Sequence, residues 1–331
     1  MSNMSINLIR YLFVLTVNSS LVWLSKSPSV DLSIVLGNAI ADRLPTVQAR
    51  SWKKKLSEWK MYDAMRQPEK NKKKIPEAPW PIETVLFWYP AKRTYGKGER
   101  ILWELKLINK SADHDLFLEV ILPALEQIAN LQDPRWRRPN SLWGHFDIHS
   151  VYTAKGPQWK PLIKNGRLDL RCKVNATQWS RGLKSDALSS DALAHLTWLT
   201  PFELVKCKTT GWKVRKNSPY YVPSLSSILE AVVQRISSVM LGKYATTDDF
   251  LEMQDKGVRM SWKRAMEQAN RISLLRHDVT KAPPELPGLW MGSETFVASM
   301  PDAIIPYLEL ASMLHVGKYT HYGCGNLVRS Q

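Results

Sequence analysis

The most informative stretch of this sequence is its end, where His315-Val316-Gly317-Lys318-Tyr319-Thr320-His321-Tyr322-Gly323-Cys324-Gly325 follows an apolar helical run. His321 is the side-chain type best matched to proton transfer near neutral pH. It lies beside Lys318, a cation able to stabilise a charged phosphorus centre, and Tyr322. Gly317, Gly323 and Gly325, three glycines in nine residues, permit left-handed dihedrals and a close approach of backbone to a phosphate chain. The competing reading is a plain helix-to-strand turn with a glycine cap. His145, directly after Gly144, is a second candidate for proton transfer, with backbone hydrogen bonding or base stacking as its alternative. His114, His149, His195, His277 and His315 read as packing or surface residues, His315 as a helix C-cap.

Three basic clusters accompany these histidines. From Arg50 to Lys74 there are ten basic residues, including Arg50, Lys53, Lys54, Lys55, Lys60, Arg66, Lys72, Lys73 and Lys74, against Glu58, Asp63 and Glu69. Arg135, Arg137 and Arg138 flank Trp136, and Lys213, Arg215 and Lys216 precede Tyr220 and Tyr221. Each cluster reads either as a solvated loop or as a phosphate clamp, and the adjacent aromatics favour the clamp because unpaired bases stack on aromatic faces. The whole chain agrees: 46 Lys and Arg against 30 Asp and Glu give a net charge of +16 and suit a polyanionic partner.

Other chemistries receive no support from the sequence. Cys172, Cys207 and Cys324 are isolated, with neither zinc spacing nor a disulfide framework, and a reducing cytoplasm fits them. No compact carboxylate cluster, Walker loop or dinucleotide fingerprint occurs, so no metal and no cofactor is expected. The apolar stretch Leu8 to Leu24 is interrupted by Arg10, Asn18, Ser19 and Ser20, and reads as a strand and its loop; no membrane span is expected.

The elements that must position these residues repeat a pattern. Ile6 to Val17 suits a strand, Leu32 to Leu44 a helix ending before Pro45, and Ser51 to Arg66 a basic helix with Trp52, Leu56 and Trp59 on one side. Ile82 to Tyr89 and Ile101 to Ile108 read as a hairpin, Phe117 to Leu131 as an amphipathic helix and Gly144 to Tyr152 as a strand. Strand, helix, strand, strand, helix, strand is the ferredoxin-like order. Leu193 to Lys206 then begins a second round as a strand, followed by a helix through Leu225, Ile228, Leu229, Val232, Val233, Ile236, Val239 and Met240. An extra helix is expected near Trp262 to Leu275, then a strand from Leu289 to Met300, a helix from Asp302 to Leu314 and a terminal strand. The expected fold is α+β, two tandem ferredoxin-like (RRM-like) domains over 1–154 and 191–331. A basic insertion at 50–79 and a basic linker at 155–190 complete the division.

The strand Leu196-Thr197-Trp198-Leu199-Thr200-Pro201-Phe202, the helix carrying Val233-Gln234-Arg235-Ile236, and the glycine-rich end from Leu314 to Gly325 occur in an order and separation that identify a resemblance. The chain resembles the RAMP-superfamily endoribonucleases that process CRISPR precursor RNA. Looser matches are Tyr95-Gly96-Lys97-Gly98-Glu99 and Trp143-Gly144-His145-Phe146. The resemblance implies binding of CRISPR repeat RNA, one metal-independent cut by 2′-OH transesterification, and retention of the crRNA for other effector subunits. It also implies a catalytic histidine between about Pro45 and Tyr62, and none lies there. A non-catalytic crRNA-binding subunit is therefore the alternative. His321, His145, Lys318 and Tyr322 stand as catalytic candidates, and the basic clusters with Gly317, Lys318, Gly323 and Gly325 as RNA contacts.

Overall fold

The computed structural model describes residues 6–64, 76–89, 92–132, 139–164, 166–180, 194–204, 222–240, 246–297 and 299–330. The chain divides into two compact units, residues 7–183 and residues 184–331 together with 1–6.

In the first unit, β1 (Leu8–Val17) leads through β2 (Leu21–Trp23) into α1 (Pro28–Arg43) and α2 (Thr46–Ala64). Then come β3 (Thr84–Trp88), β4 (Thr94–Gly96) and β5 (Arg100–Ile108). A helical run follows: α3 (His114–Leu116), a π turn over Phe117–Ile121 and α4 (Leu122–Ala129). β6 (Phe146–Lys155), β7 (Gln158–Lys164) and β8 (Arg167–Leu168) close the unit. The sheet order β3-β5-β1-β6-β7-β8 sets the first strand between the third and fourth of the repeat, as the ferredoxin-like topology requires, with two strands added at one edge. The stretch read as a basic linker thus supplies part of this sheet: β7 pairs with β6 from Lys155↔Gln158 to Ser150↔Lys164.

Alternation along β1 decides which face meets the helices. Ile9, Tyr11, Phe13, Leu15 and Val17 join Leu32, Leu36, Ile40, Phe117, Ile121 and Leu125 in one core. On the other face Arg10 pairs with Glu104, and Lys106 lies 3.9 Å from the same carboxylate, all three little exposed. Burial alone would raise the Glu104 carboxyl; Lys106 and Arg10 overcome it and hold it below its ordinary value.

α2 is pinned to this core by aromatics. Trp52, Leu56 and Trp59 are buried, and the Trp52 and Trp80 rings lie 5.3 Å apart. Trp80 in turn donates from Nε1 to the Ser33 carbonyl of α1 at 2.8 Å. A side chain at Gly37 would meet that nitrogen at 2.6 Å, so a glycine is needed on α1 there.

The second unit repeats the topology with extra helices. β9 (Ala194–Phe202) leads to α5 (Leu225–Val239), α6 (Thr247–Glu252) and α7 (Lys256–Arg271). β10 (Leu274–His277), β11 (Thr280–Lys281), β12 (Trp290–Phe296), α8 (Ile305–Leu314) and β13 (Leu327–Ser330) follow. The order β10-β12-β9-β13, all antiparallel, is again ferredoxin-like. The expected helix from Trp262 to Leu275 instead starts at an N-cap, where the Asp255 side chain accepts from Val258 N, and ends at Arg271. Leu274 and Leu275 belong to the edge strand β10 because pairing with β12 claims them.

Candidate nucleic-acid interface

The terminal glycine-rich loop is built around a buried histidine. α8 ends at His315, whose φ of 59° turns the chain out of the helix. Its Nδ1 lies 3.0 Å from the Gly323 carbonyl and 3.1 Å from that of Cys324, and its Nε2 lies 3.1 Å from Asn326 Nδ2. Carbonyls only accept and an amide nitrogen only donates, so the imidazole is the neutral form with its proton on Nδ1. His315 therefore clasps the far end of the loop to the helix end. Thr200 on β9 continues the clasp: its hydroxyl donates to the Gly323 carbonyl at 2.7 Å and accepts from Asn326 N at 3.0 Å.

Each glycine has an identifiable reason. Gly317, at φ +88°, lies against β9's exit, where a Cβ would come within 2.5 Å of the Glu203 carbonyl. Gly325, at φ +72°, packs so closely on Val316 that any Cβ would overlap its carbonyl. Gly323 takes φ +77° to end the short 3-10 turn Thr320–Tyr322. At two of the three positions the close neighbour that excludes a side chain is the protein's own backbone.

Within this loop the candidate side chains turn inward. His321 and Tyr322 are each only 4% exposed and meet edge to face at 5.0 Å. Lys318 forms an ion pair with Glu203, and its backbone N donates to the Glu203 carbonyl at 2.9 Å. Proton transfer from His321 to an RNA phosphate would require the loop to open. The residues that organise the loop, His315, Thr200, Glu203 and Asn326, were not among the sequence candidates. His315 was read as a C-cap, and Thr200 was seen as part of a Thr-Pro motif, but their joint role depends on contacts distant in sequence.

His145 is placed differently. It is half-buried, and its Nδ1 donates to the Ser141 carbonyl at 2.8 Å, which orients the ring and makes Nε2 the acceptor nitrogen of the neutral imidazole. Gly144, at φ +77°, makes the turn that precedes it. The same loop borders a cleft of about 300 Å³ lined in part by Trp23, Trp88, Asp31, Asn140, Ser141 and Trp143. No sequence pattern joined those tryptophans, since they come from three separated segments.

Of the basic candidates, Arg50, Lys53, Lys54 and Lys55 are exposed on α2 while its aromatic side is buried. Lys53 lies 3.9 Å from Asp42 and Lys55 lies 3.6 Å from Glu58, and all four of these side chains are well exposed, so these ion pairs are weak. The Lys60 side chain and Arg66, Lys72, Lys73, Lys74, Arg135, Arg137, Arg138, Lys213, Arg215 and Lys216 lie outside the described residues. A further basic surface that sequence reading passed over is α7, where Lys256, Arg259, Lys263, Arg264 and Arg271 are exposed.

No family model and no curated protein matches the sequence. Solved structures do match. A chain of a partial Cas6-RT-Cas1–Cas2 complex aligns over 99% of this chain at TM-score 0.55 and 12% identity. The fold is of the Cas6 type. This protein spans 46% of that chain, and 29% of the matching chain in a second Cas6-RT-Cas1–Cas2 complex, again at TM-score 0.55 and 12% identity. Thermus thermophilus Cas6 also aligns, over 98% of this chain and 99% of its own, at TM-score 0.46 and 13% identity. Among the described residues no helix is long and apolar enough to cross a membrane.

Proposed function

We propose that this protein binds CRISPR repeat RNA and cuts it once, without a metal, by transesterification. The tandem ferredoxin-like fold, shared over 99% of the chain with a Cas6-containing structure, is the observation that carries this reading. The net charge of +16 and the exposed basic side of α2 support it.

In the reaction the ribose 2′-oxygen forms a bond to the adjacent phosphorus as its proton passes to a base, and the phosphorus–5′-oxygen bond breaks as that oxygen is protonated. His145 is the proton-transfer residue this reading favours, because the Nδ1 hydrogen bond orients its ring and makes Nε2 the acceptor nitrogen of the neutral imidazole. Arg50, Lys53, Lys54 and Lys55 are assigned to the RNA phosphates. Lys318, His321 and Tyr322, with Gly317, Gly323 and Gly325, are assigned to a loop that contacts RNA and is held in shape by His315. The product crRNA stays bound and is passed to other CRISPR subunits.

One observation favours the second reading, a crRNA-binding subunit without chemistry. His321 and Tyr322 are almost fully buried, and Lys318 is already paired with Glu203. Incubation with cognate repeat RNA in EDTA decides between them. A single cut ending in a 2′,3′-cyclic phosphate establishes the nuclease; tight repeat binding with intact RNA establishes the structural subunit.

A further inference from the structure

We propose that the tryptophan-lined cleft beside α1 holds one unpaired nucleobase of a bound RNA strand, and that it prefers guanine. The proposal rests on the RNA-binding part of the reading above and is independent of cleavage.

Trp23 is the observation that starts the argument. Its side chain is 59% exposed, an unusual position for the largest apolar residue, yet its backbone is held firmly. β2 pairs with β4 through Val22↔Tyr95, Trp23 N donates to the Asn140 carbonyl at 2.6 Å, and Leu24 N donates to the Arg93 carbonyl at 2.8 Å. An exposed aromatic on a tethered strand is a ready stacking surface, because little ordering entropy is lost when a base settles on it. Half-buried Trp88 at the end of β3 and buried Trp143 also line the cleft.

Size and charge identify the occupant. A cleft of about 300 Å³ sits at the bottom of the range of roughly 300–1,000 Å³ for small-molecule sites, enough for one base and too small for a stacked pair. Exposed Lys26 and Arg93 flank the strand that bears Trp23, so cations border an aromatic cleft on a chain of net charge +16. Asp31 on the first turn of α1 puts a carboxylate in the lining. A carboxylate repels a phosphate and leaves the backbone of the nucleotide at the basic rim. It also accepts the adjacent N1–H and N2–H donors of guanine, whereas uracil offers one N–H between two repelling carbonyls.

The test uses the full chain and two dye-labelled single-stranded 10-mers, one all uridine and one with a single central guanosine, read by fluorescence anisotropy. Wild type should bind the guanosine oligomer at least about tenfold tighter, the lower part of the range that base stacking supplies. Trp23→Ala should remove that advantage, Trp23→Phe should keep most of it, and Asp31→Asn should bring the two oligomers within about twofold. Because Trp23 is exposed, its replacement leaves the core intact, and an unchanged melting temperature verifies this. Tight repeat-RNA binding that Trp23→Ala leaves unaltered overturns the cleft alone. Failure to bind any RNA overturns both the cleft and the function proposed above.

Discussion

Glu294 tests whether the second unit's core is as dry as the structure makes it. This residue of β12 is fully buried, Trp198 Nε1 donates to its Oε2 at 3.2 Å, and burial pushes its carboxyl from 4.5 up to about 8. The folded value is the raised one, so its stabilising effect is complete below pH 4.5 and is lost as pH rises through 8. The gap is worth roughly 5 kcal/mol in full, and roughly 2 to 3 kcal/mol of it disappears between pH 5 and pH 7. Glu294→Gln keeps an acceptor for Trp198 and removes the titration. Its amide leaves a donor to be satisfied, so the variant should be less stable than wild type at pH 5 by about 1 to 3 kcal/mol. The decisive quantity is the slope. Hydrogen exchange of the β9 amides, which reports this unit separately from the first, should show wild type losing protection between pH 5 and pH 7 after correction for intrinsic exchange. The variant should lose about 2 to 3 kcal/mol less over the same interval. Parallel slopes would mean that Glu294 is hydrated or paired with a cation in solution, and the reasoning would fail.

The remaining predictions concern the loop, the RNA contacts and the thiols. Gly325→Ala should lower the stability of the second unit by more than about 3 kcal/mol, measured by urea unfolding, because both a positive φ and an overlap with Val316 oppose it; Gly323→Ala should cost about 1 to 2 kcal/mol. His145→Ala should slow single-turnover cleavage at least about tenfold with little change in repeat affinity, whereas equal rates would remove His145 from the chemistry. His321→Ala should lower the melting temperature as well as any cleavage, since its ring is packed. Replacing Lys53, Lys54 and Lys55 with Ala should reduce the slope of log affinity against log salt by about 2, and an unaltered slope would separate α2 from the RNA. Burial raises the Cys324 thiol well above its ordinary value, and its Sγ donates to the Pro287 carbonyl at 3.3 Å. A variant retaining Cys324 as its sole thiol should therefore react with a thiol reagent only when unfolded.

How much was legible in the sequence follows from where each feature draws its stability. α5 was readable nearly to the residue, expected from Leu225 to Met240 and found at Leu225–Val239, because its apolar side keeps helical period over four turns. β1 was equally plain, since its core-facing side chains alternate from Ile9 to Val17. β10 was hidden because all four of its residues are exposed and no alternation marks it; β12 supplies its identity by pairing. β7 was hidden in the same way, its Gln-Trp-Lys-Pro segment resembling a basic loop until β6 provides the partner.

The candidate site separates along the same line. That residues 317, 323 and 325 need glycine was legible, because few other residues accept their dihedrals. What demands those dihedrals was not, since Gly317 answers to Glu203 and Gly325 to the carbonyl of Val316. A loop histidine looks accessible in a sequence, whereas His321 is buried and Lys318 is paired with a carboxylate far away along the chain. Glycine in such a loop therefore carries two different meanings. Where a Cβ would strike the protein itself, as at Gly317 and Gly325, mutation reports on folding; at Gly323, whose positive φ ends a turn, the loss is smaller and any excess effect on RNA affinity would report on contact with phosphate. Comparing stability with affinity across these three glycines distinguishes a loop shaped for RNA from one shaped only by its own packing.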